Sequence, residues 1–84
     1  MSITIVFKGP LISRFGKEKI EVNSNSSLED ILFKIDNENI IISKDKKIKA
    51  GYIILINGKD YRLSNTSQLK DGDIIEILPI NHGG

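Results

Sequence analysis

The chain has 84 residues, of which 39% are hydrophobic and 27% are charged, and its formal net charge is only +1. These values are typical of one small soluble domain, and the near balance of 12 basic and 11 acidic residues argues against a nucleic-acid-binding protein with a strong positive field. No apolar run approaches the roughly 18 residues that a membrane span needs. No N-terminal signal segment is visible either, so the expected location is the cytoplasm.

Cysteine is absent, and histidine occurs once, at His82. The absence of cysteine excludes disulfides, thiolate metal sites and a side-chain thiol nucleophile, and a single histidine does not form a metal cluster. No pairing of a nucleophile with a base is visible. We therefore expect no metal site and no catalytic residue, and we expect the hydrophobic core alone to stabilise the fold.

The N-terminal residues predict two strands. Residues 2–8 (SITIVFK) and residues 17–23 (KEKIEVN) both alternate between apolar and polar side chains, which is the period of a strand. The stretch between them is bounded by glycines and contains Pro10, so it is predicted to be a connecting loop. The side chains expected on the buried face are Ile3, Ile5, Phe7, Ile20 and Val22.

The period then changes to that of a helix. Leu28, Ile31, Leu32 and Ile35 are spaced at i, i+3, i+4 and i+7, which forms one apolar stripe on a helix. Two capping boxes fit its start, Ser26 with Glu29 or Ser27 with Asp30, and the sequence does not choose between them. Asn37 or Asn39 is expected to end the helix.

Residues 38–51 (ENIIISKDKKIKAG) carry the least regular pattern of the chain. The sequence predicts a solvated loop here, and the alternative is a docking surface for an acidic partner. Both interpretations depend on one cluster of basic residues, Lys44, Lys46, Lys47 and Lys49.

The C-terminal half predicts a hairpin and a final strand. Asn57-Gly58 lies between two strand-like runs in GYIILINGKDYRL and is the preferred pair for a type I′ turn, because both central residues need positive φ. Asp71-Gly72 marks a second turn, and a strand is predicted from Asp73 to Leu78. One helix and four to five strands fit a two-layer α+β arrangement, with a mixed sheet packed on one main helix. The expected division is a domain over residues 1–79 and a flexible tail over residues 80–84.

Four segments in order resemble a known superfamily: FKGPLISRFGKEKIEV, INGKDYRL, LKDGDIIEILP and the terminal HGG. They are similar to the prokaryotic and archaeal ubiquitin-like sulfur carriers and modifiers. This superfamily includes the ubiquitin-related modifier, the molybdopterin-synthase small subunit and the thiamine sulfur carrier. The resemblance implies the β-grasp, or ubiquitin-like, topology with the first and last strands side by side. The single Pro79 and the ending His82-Gly83-Gly84 are closest to the ubiquitin-related modifier type.

The resemblance also implies a function. The chain is expected to be a co-substrate rather than an enzyme, activated at the carboxyl of Gly84 by an E1-like adenylating enzyme that uses ATP, while the chain itself binds no cofactor. The activated end would form a thiocarboxylate for tRNA thiolation or an isopeptide bond to lysines of target proteins. Gly83 has no Cβ and would let the tail thread a narrow cleft. A monomer that binds neither nucleic acid nor membrane directly is expected.

The strand pattern adds a candidate partner surface. If Tyr52, Ile54 and Ile56 face the helix, then Ile53, Leu55 and Leu78 lie on the uncovered face of the sheet, and exposed apolar patches of this kind mark interaction sites. Two alternative functions stay open. The first is the molybdopterin-synthase small subunit, a sulfur donor for molybdopterin. The second is a plain β-grasp interaction module in which the glycine ending is incidental.

Overall fold

The structure is a computed structural model that describes residues 2–24 and 26–80. Within these ranges it contains five strands, two helices and one turn of 3₁₀ helix. Their bounds in chain order are β1 Ser2–Phe7, α1 Leu11–Phe15, β2 Lys19–Asn23, α2 Leu28–Ile35, β3 Tyr52–Ile56, β4 Lys59–Asp60, the 3₁₀ turn Tyr61–Leu63 and β5 Ile74–Pro79.

The five strands form one mixed sheet in the order β2-β1-β5-β3-β4. The first and last strands, β1 and β5, pair in parallel at the centre, with Ile5 opposite Ile75 and Phe7 opposite Ile77. The other neighbouring pairs are antiparallel. The predicted β-grasp topology is therefore confirmed, including the central position of the two terminal strands.

The hydrophobic core lies between one face of this sheet and α2. The predicted helical stripe is confirmed, because Leu28, Ile31 and Leu32 are buried and Ile35 is half-buried. Full burial of such a side chain contributes roughly 1.5–3 kcal/mol, which is enough to hold a helix that would not persist alone. The sheet contributes the buried side chains Ile3, Ile5, Phe7, Ile54, Ile56, Ile75 and Ile77.

One of the two candidate serines caps the start of α2. Ser27 is the N-cap residue, and its hydroxyl accepts the backbone N–H of Asp30 at 3.1 Å. The later of the two predicted capping positions is therefore the one used. The helix ends at Ile35 rather than at Asn37 or Asn39, since Asp36 already leaves the helical conformation with φ −102° and ψ 73°.

Asp36 explains why residues 38–51 are not simply a solvated loop. Its carboxylate is buried and accepts the backbone N–H groups of Ile40 at 2.9 Å, Ile41 at 2.6 Å and Ile42 at 2.9 Å. A buried carboxylate needs such donors, and here they turn the chain back so that Ile41 and Ile42 enter the core. The lysines of this stretch are exposed as predicted, and docking of an acidic partner there stays a prediction.

The predicted connecting loop after β1 is wrong, because the structure has the short helix α1 there. Pro10 occupies its N-cap with φ −60°, and Gly16 ends it in the left-handed conformation with φ +76°. Leu11 is buried, and the Phe15 ring stacks on Phe7 with 4.1 Å between centroids. Proline and glycine flank a short helix as readily as a loop, so the residues that suggested a loop are in fact the helix boundaries.

The predicted hairpin turn is confirmed. Asn57 and Gly58 both have positive φ, at 52° and 85°, and Ile56 pairs directly with Lys59 across the turn. The second strand of this hairpin is short, because the chain enters the 3₁₀ turn straight after Asp60. The Asp60 carboxylate accepts the backbone N–H of Arg62 at 2.9 Å and caps that turn.

Candidate functional site

The sheet face opposite α2 carries a group of apolar side chains around one carboxylate. We call it the open face. Cross-strand register places its members together, since Val6 lies opposite Glu76, Glu76 opposite Leu55, and Leu78 opposite Ile53. Ile53 and Ile74 are 37% and 46% exposed, and the other members are half-buried. The open face consists of Val6, Ile53, Leu55, Ile74, Glu76 and Leu78.

The predicted strand parity is correct. Ile54 and Ile56, which were expected to face the helix, are 1% and 6% exposed. The three residues predicted on the uncovered face, Ile53, Leu55 and Leu78, lie on it and are neighbours in the sheet. Their role as a partner surface stays a prediction.

Three members of the open face were not predicted as part of it: Val6, Ile74 and Glu76. The alternation of β1 and β5 already indicated their outward orientation. What the sequence lacks is the register between strands, and only the pairing of β1 with β5 and of β5 with β3 brings these residues beside Leu55. Register depends on the whole hydrophobic pattern and on the turns, and not on one strand alone.

Two charged pairs border the open face. The Lys8 Nζ lies 3.4 Å from Oε2 of Glu76, with the two side chains 48% and 30% exposed. At the edge of the sheet Asp60 lies opposite Leu55, and it binds the Arg62 guanidinium at 2.7 Å. The side-chain hydrogen bond from Arg62 lowers the pKa of Asp60 to about 2. Asp60 is therefore a carboxylate throughout the physiological range.

At one end of the open face the chain leaves the sheet. The last ladder pair is Tyr52 with Pro79, and one further bond follows, from the Ile80 N–H to the carbonyl of Gly51 at 2.8 Å. Gly51 has φ +101°, a backbone conformation that residues other than glycine rarely adopt. The main chain is therefore anchored to the fold through Ile80. The residues predicted to react and to thread, Gly84 and Gly83, lie outside the described residues.

Pro79 fits its place in the sheet because no donor is needed there. In the parallel register of β1 and β5, an N–H at residue 79 would face the carbonyl of Lys8. That carbonyl accepts the N–H of Leu11 at 3.2 Å instead, at the start of α1. Proline removes a ladder donor and is tolerated where the ladder has ended. The position thus ends the pairing with β1 while the pairing with β3 continues.

A hollow of about 770 Å³ lies at the opposite end of β5 and is lined in part by polar residues such as Asn57, Lys70 and Asp73. Its polar groups bind one another. The Asp73 carboxylate accepts the Asn57 side-chain amide at 2.8 Å and the Lys70 backbone N–H at 2.7 Å. These bonds explain the hollow as a structural network that holds the ends of β3 and β5 together.

Within residues 2–24 and 26–80, no group of three or more histidine, cysteine, aspartate or glutamate side chains is arranged to hold a metal ion. No helix in the same ranges has the length and apolar character required to cross a membrane.

The mixed five-stranded sheet packed on a helix is the β-grasp architecture of ubiquitin-like proteins. The family model described as the ThiS family matches residues 5–84, and the chain belongs to that family. The resemblance inferred from the sequence is thereby confirmed. In the comparison with solved structures, Urm1 of Sulfolobus solfataricus is 46% identical with a TM-score of 0.83, and the match covers 92% of this chain and 99% of that one.

More distant structures share the fold. SAMP1 of Haloferax volcanii is 17% identical with a TM-score of 0.81, and the match covers 100% of both chains. A chain of the Amycolatopsis orientalis BexX/CysO complex is 23% identical with a TM-score of 0.72, covering 98% of this chain and 99% of that one. Identities this low support the architecture alone. Among curated protein sequences, none matches the chain significantly.

Proposed function

We propose that the chain is a ubiquitin-like sulfur carrier and protein modifier whose reactive group is the terminal carboxyl of Gly84. The observation that supports this most is the 46% identity to Urm1 of Sulfolobus solfataricus over 92% of the chain. The ThiS family match also runs to Gly84, so it includes the Gly83-Gly84 ending. In this role the chain is a substrate of other enzymes and performs no catalysis of its own.

Activation is the first step that the ending requires. A C-terminal carboxyl has an ordinary pKa of about 3.3–3.7, so at neutral pH it is a carboxylate and a poor electrophile. An E1-like adenylating enzyme binds ATP, and a carboxylate oxygen of Gly84 attacks the α-phosphorus while pyrophosphate leaves. The product is an acyl-adenylate, whose carbonyl carbon accepts nucleophiles. ATP belongs to the activating enzyme, and the carrier contributes only the acyl group.

Two fates follow from one acyl-adenylate. A persulfide on a sulfurtransferase attacks the Gly84 carbonyl carbon and displaces AMP. A second thiol then attacks the sulfurtransferase sulfur of the resulting acyl disulfide, which leaves a disulfide on the enzyme and releases the thiocarboxylate. Alternatively a lysine amine of a target protein attacks the same carbonyl carbon, directly or after a sulfur intermediate. An amide bond forms as AMP or the sulfur group leaves, and the nitrogen loses a proton to water. The nucleophile that the partner presents selects the fate. We propose tRNA thiolation as the use of the thiocarboxylate.

The open face supplies the docking surface in this proposal. It is apolar, it is partly exposed, and it ends where the chain leaves the sheet at Ile80. An enzyme that covers Ile53, Leu55 and Leu78 would therefore receive the C-terminal residues directly beside the contact. Burial of such a patch supplies binding free energy away from the reacting atoms, which is how a carrier is held while its terminus reacts.

The test combines one reaction with one genetic experiment. Incubation with the E1-like enzyme, ATP and a persulfide source should replace one oxygen of the C-terminal peptide by sulfur, as measured by mass spectrometry. The shift must be localised to that peptide, because oxidation of Met1 adds the same nominal mass. No change at the C-terminal peptide would favour a plain interaction module.

Removal of the gene separates the remaining alternatives. We expect loss of thiolated uridine in tRNA and loss of high-mass conjugates, with normal molybdopterin content. A tagged copy should restore both and should itself be recovered in the conjugates. Loss of molybdopterin with normal tRNA thiolation and no conjugates would instead identify the chain as the molybdopterin-synthase small subunit.

A further inference from the structure

Glu76 occupies the centre of the open face, and the side chains directly opposite it and two residues away on its own strand are all apolar. Val6 on β1 and Leu55 on β3 lie directly opposite it on either side. Ile74 and Leu78 flank it two residues away on its own strand, on the same face of the sheet. Neighbouring strands of a sheet lie about 4.7–4.9 Å apart, so the carboxylate stands inside a ring of four apolar side chains.

This position makes the carboxylate part of any contact made by the ring. The Glu76 side chain is 30% exposed, whereas Ile74 beside it is 46% exposed as a residue. A partner that covers the apolar ring must therefore also remove water from the carboxylate. Removal of water from an unpaired charge opposes binding, and the loss is recovered only if the charge gains hydrogen-bonded, oppositely charged partners.

Lys8 supplies part of that compensation from the same chain. Its Nζ lies 3.4 Å from Oε2, and its side chain is 48% exposed at the border of the ring. A carboxylate offers about four acceptor positions over two oxygens, and a lysine ammonium is a single point charge. A second cationic donor aimed at Glu76 from above the ring would complete the pairing once water is excluded.

We propose that the open face recognises an apolar surface of the activating enzyme that carries one arginine, with the guanidinium bound to the Glu76 carboxylate. The inference rests on the proposed function, which makes that enzyme the partner. Guanidinium is weakly hydrated and presents a planar fork of donors that matches a carboxylate, so it suits a buried ion pair better than lysine does. The apolar ring supplies affinity, and Glu76 supplies the selection of partner.

A second copy of this chain is a poorer match to the same surface than a cationic partner. A two-fold contact through the centre of the open face would place Glu76 of one copy against Glu76 of the other. Two carboxylates brought together in a contact that excludes water repel each other, unlike a carboxylate and a guanidinium. The charge at the centre of the ring thus disfavours self-association while it favours a cationic partner.

The test is the dissociation constant between the full chain and the E1-like adenylating enzyme of the same organism. Glu76→Gln keeps the shape and removes the charge, and we expect binding to weaken by about tenfold or more. The matched control is Glu21→Gln, the same change at an exposed position on the edge strand β2 of the same face, with an expected change below about twofold. Both variants should unfold at the temperature of the unmodified chain.

A Lys8→Met chain tests whether Lys8 alone accounts for the effect of Glu76→Gln. If the arginine of the enzyme pairs with Glu76, then Glu76→Gln should still weaken binding by about tenfold in a Lys8→Met chain. Loss of the effect in that background would show that Lys8 is the whole partner of Glu76 and would overturn the inference. Unchanged binding of the single variant Glu76→Gln would overturn it as well.

One further variant separates this inference from the proposed function. Leu55→Glu places a second charge in the ring and should weaken binding more than Glu76→Gln does. If Leu55→Glu weakens binding and Glu76→Gln does not, the face docks the enzyme but Glu76 does not select it. If neither variant changes the dissociation constant, the docking role of the open face is wrong, and if the unmodified chain does not bind, the proposed function itself is wrong.

Discussion

The two faces of β5 place similar residues in opposite situations. Ile75 and Ile77 point into the core and are 0% exposed, while Ile74 on the other face is 46% exposed. One alternation of isoleucines and leucines therefore serves both the core and a free surface. Apolar character by itself does not identify a docking residue. The covering of one face by α2 assigns one set to stability and leaves the other set available for a partner.

Deletion of Gly84 should give the largest effect, because it removes the reaction and leaves both faces unchanged. We expect adenylation by the E1-like enzyme to be abolished, measured as ATP–pyrophosphate exchange. The unfolding temperature should stay the same, since the last residue of a chain contributes few contacts. A truncated chain that is still activated at the normal rate would exclude Gly84 as the reactive residue.

Ile77→Ala tests the core face. The substitution removes a fully buried side chain between β5 and α2, and it should lower the free energy of unfolding by about 2–5 kcal/mol. Chemical denaturation measures this directly. At temperatures where the variant is still folded, its affinity for the activating enzyme should match that of the unmodified chain.

Leu55→Glu and Leu78→Glu test the open face and should give the opposite result. Each adds a charge at a half-buried position outside the core, so we expect a change of less than about 1 kcal/mol in unfolding free energy and a clear loss of binding to the enzyme. Calorimetry on one sample measures both the free energy of unfolding and the affinity for the enzyme. Should Leu55→Glu unfold the chain while Ile77→Ala is harmless, the assignment of the two faces is reversed.

The smallest expected effect is a pH dependence at the edge of the open face. Arg62 lowers the pKa of Asp60 to about 2 from an ordinary 3.8, so the folded state binds this proton less readily than the unfolded state. The contribution to stability is therefore present above pH 3.8 and is lost as the pH falls from about 4 towards about 2. Comparison with Asp60→Asn, whose stability should lack this component, measures it. Identical acid unfolding curves would show that the exposed pair contributes nothing.

The structural features that could be predicted from the sequence are those that depend on residues close together in the chain. The alternation of β1, β3 and β5 and the stripe of α2 are local periods, so the strands, the helix and the two faces were predicted correctly. Helix α1 was missed because five residues are too few to show a period, and Pro10 and Gly16 suggest a turn equally well. The burial of Ile41 and Ile42 was missed because a run of isoleucines has no period, and the carboxylate of Asp36 sets its direction.

The residues of the candidate site also separate into those that the sequence predicts and those that it does not. Ile53, Leu55 and Leu78 follow from strand parity, which is written in each strand separately. The central position of Glu76 does not, because it depends on the register of three strands, two of which are far apart in the chain. Sequence patterns specify which face a residue joins, whereas neighbours on that face are decided by pairing.

In the proposed function, the bond between the Ile80 N–H and the Gly51 carbonyl limits how far the C-terminal residues extend into an enzyme. Four residues follow Ile80 in the sequence, and even a fully extended chain spans only about 3.3–3.6 Å per residue, or about 14 Å in all. If an enzyme contacts the chain at Gly51 and holds its nucleotide more than about 14 Å from that contact, Gly84 does not reach the nucleotide. In the proposed function, the depth of an enzyme's active site therefore limits whether it can activate the chain, in addition to the surface that surrounds that site.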